Sequence, residues 1–402
     1  MLVVKKFGGT SVGDAERIFH VAGRIAEDYK KGNDVIVVLS AMGKTTDELI
    51  AKAKEINEKP PMRELDMLLA TGEQVSVSLM AMALIKLGVP AVSLNAFQVK
   101  MHTSRRYGNA RFKKIDRERI AHELETKKVV IVTGFQGVNR YDDVTTLGRG
   151  GSDTTAVALA VAMHADECEI FTDVDGIYTA DPRLVPNAKK LDEITYDEML
   201  DLATLGAGVL HNRSVELAKK YGIRLHLRSS MSDAPGTLVV EDTKVERMLV
   251  SGVALDRSAD RISVVGLADT PGVAFRLFDM LAKRGINVDV ILQSIGRDGT
   301  KDISFTVADT DADEAMMVLQ SGRNILNYKE LSLNRNVAKL SVVGAGMISN
   351  AGVAARMFEA LYNEGININM ISTSEIRITV LIDESYAERA VKAVHDAFIG
   401  ED

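Results

Sequence analysis

Asp34-Val35-Ile36-Val37-Val38-Leu39-Ser40 (DVIVVLS) is an apolar run with no polar alternation, and its reading decides the fold class. A strand with one wet face alternates, whereas a strand covered on both faces does not. Before it lie a strand pattern, Leu2–Phe7, and an amphipathic helical pattern, Asp14–Lys31. After it come helical patterns at Thr46–Asn57 and Arg63–Leu87, a strand at Val89–Leu94 and a helix at Ile115–Thr126. Val129–Thr133 (VVIVT) is then a second run of the doubly covered kind. The alternation continues with a helix at Asp153–His164, a strand at Glu169–Thr172, helices at Tyr196–Leu205 and Val209–Lys220, and a strand at Arg224–Arg228. This pattern predicts an α/β domain over residues 1–240, with a mostly parallel sheet sandwiched by helices. Turn residues at Ser229–Gly236 and the charged stretch Glu241–Arg247 mark its end.

Beyond that boundary the chain repeats itself. Ile262–Ser294 reads ISVVGLADTPGVAFRLFDMLAKRGINVDVILQS, and Leu340–Ser374 reads LSVVGAGMISNAGVAARMFEALYNEGININMISTS. Gly272 matches Gly352, Gly285 matches Gly365, and Ile286-Asn287 matches Ile366-Asn367. Each copy is a strand, a glycine turn, an amphipathic helix and a second strand. An apolar strand (Ile303–Val307; Glu375–Ile382) and a helix (Ala312–Leu319; Tyr386–Phe398) then complete a ferredoxin-like βαββαβ unit.

Composition excludes several function classes. Net charge is −7 and basic residues form no long run, which disfavours a nucleic-acid partner. Aromatic residues are 5% and Trp is absent, leaving little for stacking bases. Cys168, the single cysteine, sits in the apolar stretch Cys168–Phe171 and reads as a buried thiol. No apolar run approaches the roughly 18 residues of a membrane span, and Lys5 and Lys6 break up the N-terminal one. A soluble cytoplasmic protein with no membrane partner is expected. The seven histidines show no metal-ligand spacing, so no protein metal site is expected. Gly43-Lys44-Thr45 resembles a P-loop tail, but position 38, where that loop needs glycine, is Val38.

Three glycine- or acid-bearing turns follow strands instead. Lys6-Phe7-Gly8-Gly9-Thr10-Ser11 joins a strand to a helix, where bare amides and a lysine suit phosphate oxygens; a solvated turn is the plainer reading. Gly148-Arg149-Gly150-Gly151-Ser152-Asp153 opens a helix that Ser152 or Asp153 can cap. Capping leaves unexplained an arginine set among three glycines, a fork suited to carboxylate or phosphate. Thr172-Asp173-Val174-Asp175-Gly176-Ile177-Tyr178-Thr179-Ala180-Asp181-Pro182-Arg183 follows a third strand, at the edge where open α/β sheets bind ligands. Ala70-Thr71-Gly72-Glu73 marks a break in a helical pattern, where Glu73 suits either solvent or a substrate ammonium.

In order, KFGGTSVGD, VVLSAMGKTTDEL, ATGEQVS, GFQGVN, GRGGSDTTA and FTDVDGIYTADPR resemble the aspartate kinases, from Leu2 to the end of the chain. The resemblance implies an amino-acid-kinase fold followed by two ACT domains, one at 262–335 and one interlocked from 248–261 and 336–402. It implies ATP-dependent phosphorylation of the β-carboxylate of L-aspartate, at the head of lysine, threonine and methionine synthesis. Lys6 would neutralise the transferring phosphoryl group, and Gly8 and Gly9 would cradle phosphates. Ser40, Thr46 and Ser152 would contact the substrate, Glu73 would hold its ammonium, Arg149 would pair with a carboxylate and Asp153 would orient the amine. Thr172, Asp173, Tyr178 and Arg183 would contact ATP, with Mg2+ held mainly by the phosphates. Lysine, threonine or both would act as effectors near Asp269, Pro271, Gly272, Asn287, Gln293, Ser294 and Asn367, in a homodimer or larger assembly. Gly208 departs from the pattern, because many relatives carry lysine there. A sister kinase acting on glutamate, acetylglutamate, carbamate or UMP, or a non-catalytic amino-acid sensor, is the alternative.

Overall fold

A computed structural model of the chain describes residues 1–205, 210–243, 249–295, 299–348, 350 and 352–400. They divide into two compact units, residues 1–177 with 190–204 and 210–243, and residues 178–189 with 205, 249–295, 299–348, 350 and 352–400.

In the first unit, β1 (Leu2–Phe7), α1 (Ala15–Lys30) and β2 (Asp34–Leu39) form the expected βαβ unit. Asp14 caps α1 by accepting from the Arg17 amide at 2.9 Å. There follow α2 (Thr45–Ile56), α3 (Met62–Leu69), α4 (Thr71–Lys86) and β3 (Ala91–Leu94). Next come β4 (Met101–Thr103), β5 (Phe112–Ile115), α5 (Glu118–Glu125), β6 (Val129–Thr133), β7 (Gln136–Val138) and β8 (Val144–Thr146). The unit is completed by α6 (Gly151–Met163), β9 (Glu167–Thr172), β10 (Ile177–Tyr178), β11 (Lys190–Leu191), β12 (Glu193–Thr195), α7 (Tyr196–Thr204), α8 (Asn212–Tyr221), β13 (Leu225–Ser229) and β14 (Thr237–Val240). Eight strands make one sheet in the order β12-β14-β13-β9-β1-β2-β6-β3. All neighbours are parallel except β13 and β14. Val35–Leu39 and Val129–Thr133 are buried throughout, as an unalternating pattern requires.

Three differences from the sequence reading stand out. The expected break in the pattern Arg63–Leu87 is confined to Ala70, the C-cap of the first helix, so Thr71, Gly72 and Glu73 already belong to the second. By length and composition the stretch Met62–Lys86 would also pass for a membrane span, although the break at Ala70 divides it. Here, however, Val77, Met80, Ala81 and Leu84 of α4 lie in the core against α1 and the sheet. Finally, Ile115 ends a strand rather than starting a helix. It belongs to a small sheet, β5-β4-β7-β8, that no run of residues announced.

In the second unit β15 (Gly252–Asp256) precedes β16 (Ala259–Ala268), α9 (Val273–Ala282), β17 (Ile291–Ile295), β18 (Thr300–Ala308), α10 (Ala312–Ser321), α11 (Arg323–Leu326) and β19 (Glu330–Asn334). The second copy is β20 (Val337–Val343), α12 (Val353–Asn363), β21 (Met370–Thr373), β22 (Arg377–Asp383) and α13 (Ala387–Ile399). The sheets run β17-β18-β16-β19 and β15-β20-β22-β21. Thus β15, which precedes the first repeat in sequence, pairs antiparallel with the second, Gly252 opposite Val343. Gly272 and Gly352 sit at matching helix starts with φ of 88° and 96°, a region that favours glycine.

Candidate active site

Side chains alternate along a strand, so Lys5 and Lys6 of β1 leave the sheet on opposite faces. Lys5 is buried, 2.6 Å from Asp28 and also paired with Glu169, which accounts for it structurally. Lys6 projects toward α6, where its Nζ lies 2.7 Å from Asp153 Oδ1, both side chains largely buried. The sequence presents the two lysines side by side; only the strand's period separates their roles.

Past Phe7 the chain turns through Gly8 and Gly9 against the loop that follows β2. A Cβ on Gly9 would stand 2.5 Å from the Ala41 carbonyl oxygen, so any side chain would force these loops apart. The loops are also bonded, Ser40 N to Phe7 O at 3.2 Å and Gly43 N to Gly9 O at 3.0 Å. Thr46 stands in the first turn of α2, directly after them. Glu73, in the first turn of α4, reaches the same loop: the Ala41 amide donates to its Oε1 at 3.1 Å. Its other oxygen is buried with no hydrogen-bond partner among the described residues. Burial pushes this carboxyl up to about 7, against an ordinary value of 4.5. A buried acid with an open oxygen is what a cationic ligand would complete.

Helix α6 begins at Gly151, two residues earlier than expected, so neither Ser152 nor Asp153 caps it. Its first turn follows Gly148-Arg149-Gly150, where both glycines have positive φ, 80° and 65°. Gly150 is enforced twice, because a Cβ there would lie 2.2 Å from the His211 ring. Arg149 is exposed between them. Ser152 packs on a neighbouring turn, since a Cβ on Gly134 would meet its Oγ at 2.5 Å. Next in that turn is Phe135, a non-glycine residue at φ 67°, the kind of local strain that gathers at functional sites. Neither His211 nor Phe135 was singled out from sequence. The motif GFQG was the available signal for Phe135, and nothing in the sequence places His211 under Gly150.

At the end of β9 the Thr172 hydroxyl donates to Asp173 Oδ1 at 2.9 Å, and the Thr172 carbonyl accepts from the Ser230 amide at 2.8 Å. Ser11 Oγ donates to Ser230 Oγ at 2.8 Å, linking this loop to the Gly8-Gly9 turn. Tyr178 and Arg183 belong to the second unit, where Arg183 is forked onto Asp181, with Nη2 2.7 Å from Oδ2. Gly208 lies outside the described residues. Cys168 is buried and its thiol pushed up by burial, which suits core packing and not nucleophilic chemistry. In the second unit Asp269, Pro271 and Gly272 follow β16, with Asp269 2.7 Å from Lys301. Gln293 and Ser294 lie on β17, an edge strand. Asn287 and Asn367 occupy matching positions ahead of β17 and β21.

The amino acid kinase family profile matches residues 1–229, and an ACT domain profile matches 262–322 and 340–398. The aspartokinase of Bacillus sp. (strain MGA3) is 51% identical over 398 residues, covering 99% of this chain and 97% of that one. Aspartokinase 2 of Bacillus subtilis (strain 168) is 49% identical over 398 residues with the same coverage. Among solved structures, E. coli aspartokinase III in complex with aspartate and ADP is similar at TM-score 0.85 and 28% identity, covering 99% of each chain. The same enzyme in complex with lysine and aspartate gives 0.77 at 29% identity, again over 99% of each chain.

Proposed function

The chain belongs to the amino acid kinase family, with aspartokinase relatives along its whole length, and from that premise we infer that it phosphorylates the β-carboxylate of L-aspartate with ATP. The observation that carries the substrate class is Glu73, a buried acid at the start of α4 that holds the loop after β2 through Oε1 and whose Oε2 has no hydrogen-bond partner among the described residues.

The nucleophile is a carboxylate already ionised at neutral pH, so the reaction needs no general base. One carboxylate oxygen forms a bond to the γ-phosphorus, the bond to the β,γ-bridging oxygen breaks, and ADP leaves with that electron pair. The barrier is repulsion between two anions and the charge that moves to the leaving group. Lys6 meets that charge, and Asp153 holds its ammonium in place. The amides of the Gly8-Gly9 turn and the first turn of α6 bind phosphate oxygens. Thr172 and Asp173 contact the nucleotide at the end of β9; for Tyr178 and Arg183 the same role rests on the resemblance. Mg2+ would take its ligands mainly from the phosphates. When bound, it supplies further charge neutralisation there.

Glu73 binds the ammonium and Arg149 the α-carboxylate, because an arginine on the β-carboxylate would tie up the attacking oxygen. Ser40, Thr46 and Ser152 hydrogen-bond the remaining polar atoms. The ACT repeats, 262–335 and 248–261 with 336–402, give feedback control by lysine, threonine or both, through Asp269, Pro271, Gly272, Asn287, Gln293, Ser294 and Asn367. Their edge strands, with Ile291, Leu292 and Ile371 exposed, favour a homodimer or larger assembly. A cytoplasmic enzyme would find ATP and aspartate together.

The test is hydroxylamine trapping of the acyl phosphate with Mg-ATP and aspartate, glutamate or acetylglutamate in turn, then with lysine and threonine added. Hydroxamate from aspartate is expected; none from it would overturn the assignment.

Glu73 adds a pH signature. Folded and empty, its carboxyl keeps a proton to about pH 7, whereas an exposed one releases it near 4.5. Between those values the folded state binds more protons, so the group's burial costs stability as pH rises through this window. An ammonium beside Glu73 favours ionisation, and aspartate binding must expel the proton below pH 7. The KM for aspartate should therefore rise as pH falls from 8 to 6, approaching about tenfold per unit below the apparent pKa. Glu73→Gln should raise KM throughout and flatten that dependence; an unchanged slope would remove Glu73 from the role.

A further inference from the structure

Asp66 lies on α3, one turn ahead of the break that leads to Glu73, and is fully buried. No basic side chain pairs with it among the described residues; four hydrogen bonds from two residues account for its oxygens. The Thr146 amide donates to Oδ2 at 2.9 Å and the Thr146 hydroxyl to Oδ1 at 2.7 Å. The Gly108 amide donates to both oxygens, at 3.1 and 2.9 Å. Burial is the largest influence on its carboxyl and pushes it upward against the pull of these hydrogen bonds, so the site carries a desolvation cost.

Thr146 ends β8, three residues before Arg149. Around it each backbone group is engaged: the Thr146 carbonyl by the Ala110 amide at 2.8 Å, the Leu147 amide by the Phe135 carbonyl at 2.8 Å. The Leu147 carbonyl accepts from Arg213 Nη1 at 2.7 Å, and Arg213 Nη2 holds the Ala110 carbonyl at 2.9 Å. On the other side, Gln136 Nε2 of β7 donates to the Ala70 carbonyl at 3.0 Å, at the break before Glu73. The helix break that leads to Glu73 and the β7-β8 pair that leads to Arg149 are thus tied twice, by Asp66–Thr146 and by Ala70–Gln136.

We propose that Asp66 is a positioning residue that sets the separation of Glu73 and Arg149, and so the fit of the zwitterionic end of the substrate. The amine and α-carboxylate of an amino acid sit on one carbon, so their two partners tolerate little relative drift. Asp66 touches neither substrate nor nucleotide; it acts through the Thr146 contact. This proposal rests on the assignment of Glu73 and Arg149 to the two ends of aspartate.

The experiment is steady-state kinetics of Asp66→Asn, Thr146→Val and Thr146→Ser in the full chain, with KM measured separately for aspartate and ATP. Asn puts an NH2 against two amide donors, and Val removes only the hydroxyl. Each should raise the aspartate KM by about tenfold, the size of a lost charge-assisted hydrogen bond, with the ATP KM within about twofold. Thr146→Ser, which keeps the hydroxyl, should match wild type. Should Asp66→Asn fail to fold, Thr146→Val decides alone. Unchanged aspartate KM, an equal rise for ATP, or a Ser variant no better than Val would each overturn the proposal. If wild type makes no hydroxamate from aspartate, the functional reading has failed instead, and the two failures are distinguishable.

Discussion

Lys6→Ala should lower kcat by about 100- to 1000-fold while moving the aspartate KM by no more than about threefold. The asymmetry follows from where the charge is needed. In the ground state the aspartate carboxylate and the γ-phosphoryl group are separate anions, and Lys6 is already compensated by Asp153 at 2.7 Å. As the phosphoryl group transfers, charge spreads over its equatorial oxygens and onto the leaving oxygen, where a fixed ammonium in a largely buried site acts most strongly. A contact made in the transition state and not before lowers kcat when removed. Asp153→Asn should give a smaller loss, because it loosens Lys6 without deleting it. Lys5→Met serves as control: its partners are Asp28 and Glu169 on the opposite face, so it should lower Tm and leave the ratio of kcat to KM nearly unchanged. Initial rates of hydroxamate formation settle the matter, and near-normal turnover in Lys6→Ala would remove it from the site.

The contrast between those two lysines also explains what could be read before any coordinates. Buried parallel strands announce themselves, because Val35–Leu39 and Val129–Thr133 must be apolar at every position to be covered on both faces. A repeat of two ferredoxin-like copies announces itself through matching glycines at helix starts. Strands of three or four residues do not. Gln136–Val138 and Val144–Thr146 are too short to establish a period, and two of their buried residues are threonines. The small sheet was missed for that reason, and with it the anchoring of the Arg149 turn. Thr237–Val240, four residues between the turn segment Ser229–Gly236 and the charged stretch Glu241–Arg247, is likewise too short to show a period, although it joins the main sheet between β12 and β13. The glycine turns mark Lys6, Gly9 and Arg149 in the sequence, and the structure brings Lys6 to Asp153 and Glu73 to the Ala41 amide. Asp66 had no such signal: one acid in a helical pattern reads as solvated, and only burial against Gly108 and Thr146 distinguishes it.

Arg149→Ala should raise the aspartate KM by about 100-fold and change kcat only a few-fold, the reverse of Lys6→Ala. A guanidinium on the α-carboxylate makes the same contact before and during transfer, because no charge develops at that end of the substrate. Such uniform binding sets affinity and not turnover. The cost is that of a bidentate, charge-assisted pair held by a turn whose glycines, Gly148 and Gly150, sit at φ 80° and 65°. Arg149→Lys should recover only part of it, since an ammonium cannot match two carboxylate oxygens at once. The α-amide of aspartate gives the decisive comparison. Wild type should discriminate strongly against it, because the guanidinium then faces a neutral group. In Arg149→Ala the preference should nearly vanish, since the partner that reads the charge is gone. Discrimination that survives the substitution would place the α-carboxylate against another residue, and a kcat loss as large as that of Lys6→Ala would put Arg149 on the phosphoryl group.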